Sequence, residues 1–211
     1  MTLDPGRDCP LCPRLVDFRT TQRAAHPDWH NAPVPAFGTL DSRLLIVGLA
    51  PGLQGANRTG RPFTGDWAGD LLYATLLKFH FARGRYDERA DDGLTLVDCR
   101  ISNAARCVPP ANKPLPVELN ACNQFLKAEI AAMRRLKAIM ILGLVSHGAV
   151  LNALGQRKSA VKFEHGAIHK LPNGITLHNS YHCSRYNTNT GRLTTPMFER
   201  VVADLRDELD K

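Results

Sequence analysis

The chain has 211 residues, 44% of them hydrophobic, and a net charge of +7 spread along its length. That is enough chain for one sizeable core in a single domain, 1–211; no apolar run is long enough to span a membrane, and the excess of Lys and Arg suits an anionic partner such as nucleic acid. The start, Met1 to Gly6, lacks a basic-then-apolar signal peptide, so a cytoplasmic location is expected, and there six cysteines point to metal or cluster ligation rather than disulfides.

Cys9-Pro10-Leu11-Cys12 comes first. A CxxC turn sets two thiolates on one side of a tight bend, which suits a tetrahedral metal. The rival, thioredoxin-like redox chemistry, expects the pair after a strand in a βα unit. A helix is predicted from Pro13 to about Ala25 and a loop from His26 to Thr39. His26 and His30 are four apart, but Pro27 argues against a helical ligand pair, and both are read as surface residues. The apolar run Leu44 to Gly48 reads as a buried strand. From Gly48 to Asp66 the chain is glycine, proline and small polar residues, far longer than the roughly two to six residues of an ordinary βα connection. In an open α/β sheet that loop lies at the carboxyl end of the strand, where ligands bind, and its glycines let the backbone approach one.

An amphipathic helix is predicted over 67–81, a charged loop over 82–93, and a second strand within 94–104. A proline-rich loop with two cations, Arg106 and Lys113, leads to a helix over 116–136, with Glu118 early and Arg134 and Arg135 late, as the helix dipole favours. A third strand is predicted over 138–143 and a short helix over 146–153 with Ser146 as a cap. A basic, irregular stretch over 156–170, a fourth strand over 174–180 and a last helix over 195–209 complete the chain. Strands alternate with helices throughout, which implies a parallel sheet with helices on both faces.

Cys107 in the proline-rich loop and Cys122 on the next helix join Cys9 and Cys12 as a candidate thiolate set for zinc or an iron–sulfur cluster, unless they are simply buried residues. Cys99 reads as core and Cys183 as near the site. Three loops at the carboxyl ends of strands carry Asp66, Asn103 and His182, and in a parallel sheet such ends converge on one crevice. A carboxylate, an amide and an imidazole are what hydrolysis beside a heterocycle needs. Each has a plainer reading: Asp66 as a helix cap, Asn103 as a turn residue, His182 as a satisfied loop histidine. Phe63 could stack on a base or anchor the loop on the core.

Gly48-Leu49-Ala50-Pro51-Gly52 with Asn57 to Asp66 resembles the first motif of the uracil-DNA glycosylase superfamily, in its family 5 version. The stretches 102–114 and 182–194 resemble the second and last motifs. The resemblance covers Cys9 to Thr194 and implies a three-layer α/β/α fold around a short, mainly parallel sheet. It implies a 4Fe–4S cluster held by Cys9, Cys12, Cys107 and Cys122, in a subregion formed by 9–12 and 107–122. It implies that Gly48, Ala50 and Gly52 line the base site, that Phe63 stacks on the flipped base, and that Asn103 hydrogen-bonds its Watson–Crick edge. His182 would stabilise the charge building on O2, and Asp66 would position water or steady the sugar cation. Arg61, Lys113, Ser184, Arg185, Tyr186 and Asn187 would contact DNA, with Arg185 or Tyr186 filling the gap left by the base. Two positions depart from the superfamily's commoner patterns. Leu49 stands where other families carry a polar catalytic residue, as is normal for family 5, and Cys183 replaces the proline of the usual His-Pro-Ser.

The expected function is therefore monofunctional excision of uracil, and of other deaminated bases such as hypoxanthine, from DNA by a monomer. No lysine stands in a motif position to serve as a Schiff-base nucleophile. The rival readings are an iron–sulfur protein that binds DNA in the same groove without turnover, and a zinc-bound structural module.

Overall fold

The computed structural model describes residues 2–157, 159 and 161–211. Met1 and two positions of the basic 156–170 stretch, 158 and 160, lie outside the described residues. In chain order the elements are α1 (Pro13–Ala25), β1 (Leu44–Gly48), α2 (Ala56–Thr59), α3 (Trp67–Lys78), β2 (Ala82–Arg83), β3 (Thr95–Leu96), β4 (Cys99–Asn103), α4 (Pro116–Ala132), β5 (Ala138–Leu142), α5 (Leu144–Ala153), β6 (Ile168–Lys170), β7 (Thr176–Ser180), α6 (Arg185–Asn189) and α7 (Thr195–Leu209). The central sheet has the order β4-β1-β5-β7-β6, with its first four strands parallel and β6 antiparallel to β7.

The layers follow from strand alternation. Leu44 and Ile46 of β1 face a core shared with Leu72 and Leu76 of α3 and Phe198, Val202 and Leu205 of α7. Leu45 and Val47 face the other core, with Leu126 of α4 and Val150 and Leu151 of α5. Both faces of β1 are thus covered, which is why its sequence is a continuous apolar run. In α7 the buried residues Phe198, Val201, Val202, Leu205 and Leu209 recur at helical spacing. The resulting architecture is the expected three-layer α/β/α. Among the described residues no helix is long and apolar enough to cross a membrane.

Several local expectations are corrected. Ser146 does not cap α5: that helix begins at Leu144 after Gly143, whose φ of 94° only glycine adopts cheaply, and Ser146 is buried inside it. α3 ends at Lys78 and α4 at Ala132, so Arg134 and Arg135 lie past the helix end. The stretch 82–93 opens with a strand of a two-stranded ribbon, β2 with β3, and the 156–170 stretch ends in β6. His26 and His30 are half-buried rather than on the surface: the His26 ring stacks on Trp29 with centroids 3.8 Å apart, and His30 Nε2 lies 3.2 Å from the Pro33 carbonyl.

Glu118 does more than favour the helix dipole. It is buried at the start of α4, accepts the Leu115 N–H at 2.7 Å and takes a two-pronged bond from Arg14 of α1 at 2.7 and 2.8 Å. This ties the helix that follows the CxxC to the helix that carries Cys122.

Candidate active site

The carboxyl ends of β1, β4, β5 and β7 open into a cleft of about 740 Å³ lined by Phe63, Asp66, Asn103, Gly143 and His182, among others. That volume is in the usual range of about 300–1,000 Å³ for a small-ligand site. The parallel register sets its floor. Gly48, last in β1, pairs with Asn103, last in β4, so Asn103 belongs to the strand end and not to the loop beyond it. The Asn103 residue is 3% exposed and its Oδ1 has no hydrogen-bond partner. A buried carbonyl oxygen without a donor costs about 1–3 kcal/mol. A ligand in the cleft with a donor at that point would satisfy it.

Gly48 is what lets the neighbours close in. A Cβ there would lie 2.4 Å from Asn103 Oδ1 and 2.4 Å from Phe63 Cζ. Phe63 itself sits in the left-handed region, with φ 54°, and is mostly buried. The turn is held by a close approach behind it, because a Cβ at Gly69 would meet the Phe63 carbonyl oxygen at 1.8 Å. The Phe63 ring lies beside the His182 ring, with centroids 6.0 Å apart and planes 28° from parallel. Together they make an aromatic wall.

His182 Nδ1 is buried without a partner, and burial pushes the imidazole pKa down to about 4, so the ring is neutral near pH 7. Asp66 serves two ends at once. Its Oδ1 caps α3 by accepting the Gly69 N–H at 3.2 Å. Its Oδ2 fills the space left by two glycines of the long loop: a Cβ at Gly52 would come within 3.0 Å of it, and one at Gly55 within 2.4 Å. Burial raises the Asp66 pKa, and the backbone N–H groups of Gly69 and Ala68 oppose that rise. Ala50 and Gly52 line the same cleft, and so does Leu49.

Beside the cleft stands α6. Ser184 caps it by accepting the Asn187 N–H, and Asn187 Nδ2 donates to the His182 carbonyl at 2.8 Å. Arg185 and Tyr186 project from its first turn, Tyr186 with 71% of its surface exposed. Lys113 is exposed in the proline-rich loop.

Arg61 is a correction. Expected on DNA, it is 4% exposed, forks onto Asp92 at 2.8 and 2.7 Å, and bonds Thr64 through Nε at 2.7 Å. The rings of Phe37, Tyr73 and Tyr86 surround it. Its bonds hold the Asp92 carboxyl well below the usual carboxylate range. This guanidinium is a strut of the glycine loop. Arg106, the other cation read from the proline-rich loop, is also interior: Nη2 binds Glu129 and Nη1 binds Asp4, each at 2.6 Å. Glu129, fully buried, also accepts from Arg100 at 2.6 Å and Ser102 at 2.7 Å. Neither Asp92 nor Glu129 carried any local signal of this role.

Cys9, Cys12, Cys107 and Cys122 line one small internal cavity with Arg19, Arg106 and Phe125. The Arg106 N–H points at Cys122 Sγ at 3.3 Å, and Arg19 at Cys107 Sγ at 3.6 Å. Among the described residues no three His, Cys, Asp or Glu side chains gather as a single metal ion requires. Cys99 and Cys183 are both fully buried in the core shared by α3 and α7, Cys183 next to His182 in the chain.

Comparison with known proteins identifies the family. A family model described as the uracil DNA glycosylase superfamily matches residues 35–206, and the chain belongs to that superfamily. Within it, the chain resembles type-5 members. It is 43% identical over 204 residues to the type-5 uracil-DNA glycosylase of Thermus thermophilus, covering 94% of this chain and 92% of that protein. It is 40% identical to the type-5 uracil-DNA glycosylase of Mycobacterium leprae over 94% of this chain and 90% of that one. For the type-5 uracil-DNA glycosylase of Pyrobaculum aerophilum the figures are 37%, 92% and 86%. The type-4 uracil-DNA glycosylase of the same organism matches more narrowly, at 34% over 59% of this chain.

Proposed function

We propose that this chain is a monofunctional uracil-DNA glycosylase that hydrolyses the N-glycosidic bond of a flipped uracil, acting as a single-domain monomer in the cytoplasm. The observation that carries this is the pair of unpartnered buried atoms, Asn103 Oδ1 and His182 Nδ1, on two residues that line one cleft. A pyrimidine with an N–H on its pairing edge and a carbonyl at O2 meets both needs. Asn103 accepts from N3–H and, through its Nδ2, donates to O4. Cytosine, with the opposite pattern at those two positions, leaves the amide mispaired.

Bond breaking moves the C1′–N1 electron pair into the base and charge onto O2, where the neutral imidazole of His182 acts as a donor. Asp66, with Oδ1 tied to the helix and Oδ2 toward the glycine loop, holds the water that adds to C1′ and steadies the positive sugar. The base leaves as its anion and takes up a proton, and the sugar keeps the hydroxyl, giving an abasic site. Phe63 supplies the stacking wall and Gly48, Ala50 and Gly52 the close backbone. Ser184 to Asn187 enter the duplex, Tyr186 being the side chain most free to fill the gap. Lys113 contacts a phosphate.

The four cysteines line one cavity, and four thiolates form a donor set that suits a 4Fe–4S cluster. When bound, such a cluster supplies covalent ties between the CxxC turn, the proline-rich loop and α4, and the N–H donors from Arg106 and Arg19 would bear on its sulfurs.

The test is an end-labelled oligonucleotide carrying one uracil or one hypoxanthine, incubated with the protein and then treated with hot alkali. A break at uracil only after alkali is expected; an intact strand with DNA still bound would overturn the reading. Breaks at hypoxanthine would extend the substrates to deaminated purines. Freshly purified protein should be brown with a broad visible shoulder, and a colourless protein holding zinc would overturn the cluster.

A further inference from the structure

α6 has no buried residue and only five residues, too few to hold a helix alone. Most of its ties are to its own surroundings in sequence: the Ser184 cap, the Asn187 bond to His182, and the Leu193 N–H to the Asn187 carbonyl at 3.0 Å. One tie crosses the molecule. The indole Nε1 of Trp67 donates to Thr188 Oγ1 at 2.8 Å, across 121 positions of sequence, while the Arg185 guanidinium rests over the Trp67 ring at 5.5 Å. Trp67 is 48% exposed, so core burial does not account for the indole. It follows Asp66 directly and begins α3, whereas Asn187, next to Thr188 in α6, is tied to the His182 carbonyl.

We propose that Trp67 is a positioning residue that clips α6 to the start of α3, so that the Arg185–Tyr186 tip enters a duplex as a fixed wedge in register with Asp66 and His182. The inference rests on the glycosylase reading and adds to it the element that couples base extrusion to the base site. The hydroxyl of Thr188 is suited to the task. It donates within its own helix, to the carbonyl of Ser184 or Arg185 at 3.2 Å, and keeps a lone pair for the indole. Without the clip, the tip would still bear the same side chains but would be ordered only on meeting DNA, and extrusion would slow.

The test uses the full chain and a duplex with uracil opposite guanine and 2-aminopurine beside the uracil. The fluorescence of 2-aminopurine rises when its neighbour leaves the stack, whether or not the base is then cut. T188V and W67F should each slow that rise by a factor of roughly 2 to 10, the worth of one hydrogen bond. T188S, which keeps the hydroxyl, should restore the wild-type rate, and all three variants should bind the same duplex without uracil as the wild type does. An unchanged rise in T188V, or a T188S as slow as T188V, would overturn the proposal. So would weaker binding of undamaged duplex by W67F, which would make the indole a direct DNA contact. Failure of the glycosylase reading looks different: the wild type would raise the fluorescence and leave the strand alkali-stable.

Discussion

Replacing Gly48 by alanine tests the base site through its floor. Gly48 is not among the residues with positive φ, so alanine fits the backbone and the effect is steric. The new Cβ would stand 2.4 Å from Asn103 Oδ1, 2.4 Å from Phe63 Cζ and 2.8 Å from Phe63 Cε2. Comfortable carbon contacts are about 3.5–4.0 Å, so the Asn103 and Phe63 side chains must each retreat by about 1 Å. Overpacking of this kind costs about 1–3 kcal/mol, a fall in Tm of roughly 2–12 °C for a chain of this size. Catalysis should suffer far more, because a displacement of about 1 Å at a reacting centre costs about 10²-fold. G48A is therefore expected to fold, melt a few degrees early and lose at least about 10² in kcat/KM on uracil oligonucleotides. A variant with the same melting loss and undiminished turnover would refute the assignment of Asn103 and Phe63 to the base.

Four further outcomes follow from the same geometry. D66S keeps a side-chain oxygen for the α3 cap but removes the carboxylate, so DNA binding and Tm should hold while excision slows by roughly 10²–10⁴; unchanged turnover would remove Asp66 from the mechanism. His182 has its pKa lowered to about 4 from 6.5. The unfolded chain therefore binds more protons between those values, and stability that is full above about pH 6.5 is lost as the pH falls toward 4. Urea melts of wild type and H182Q at pH 7.5 and 4.5 should show a smaller acid loss in H182Q, and equal losses would contradict a buried neutral ring. K113A should reduce the slope of log K against log salt by about 1. R61A, which strands the buried Asp92 carboxylate, should leave that slope unchanged and cost about 3–5 kcal/mol of stability.

Much of the fold could be read from local pattern because burial leaves local marks. A strand covered on both faces, such as β1, must be apolar throughout, and the 3- and 4-residue spacing of α7 has no other use. The convergence of Asp66, Asn103 and His182 was legible because parallel topology sends strand ends to one side. What escaped had causes far off in sequence. β6 reads exposed, half-buried, exposed and exists through its pairing with β7. Arg61 looks like any surface cation until Asp92, 31 residues on, closes against it. Ser146 looks like a cap because serine so often is one, but Gly143 at the end of β5 had already turned the chain into α5. Trp67 reads as an ordinary helix start, and its partner Thr188 lies in a segment that reads as loop.

The pairing of Gly48 with Asn103 makes the sheet a ruler. The gap between Gly48, which yields space, and Asn103, which we assign to the base, is one interstrand step, a spacing fixed by backbone hydrogen bonds and indifferent to side-chain chemistry. A slip of one residue between β1 and β4 would turn the amide to the opposite face of the sheet and pull Arg100 and Ser102 off the buried Glu129, so the assigned base contact and the buried ion pair would be lost together. Selection for accurate base choice and selection for a stable fold therefore act on the same few backbone bonds. Drift in these two strands is constrained twice, once by the buried ion pair they carry and once by the assigned base site.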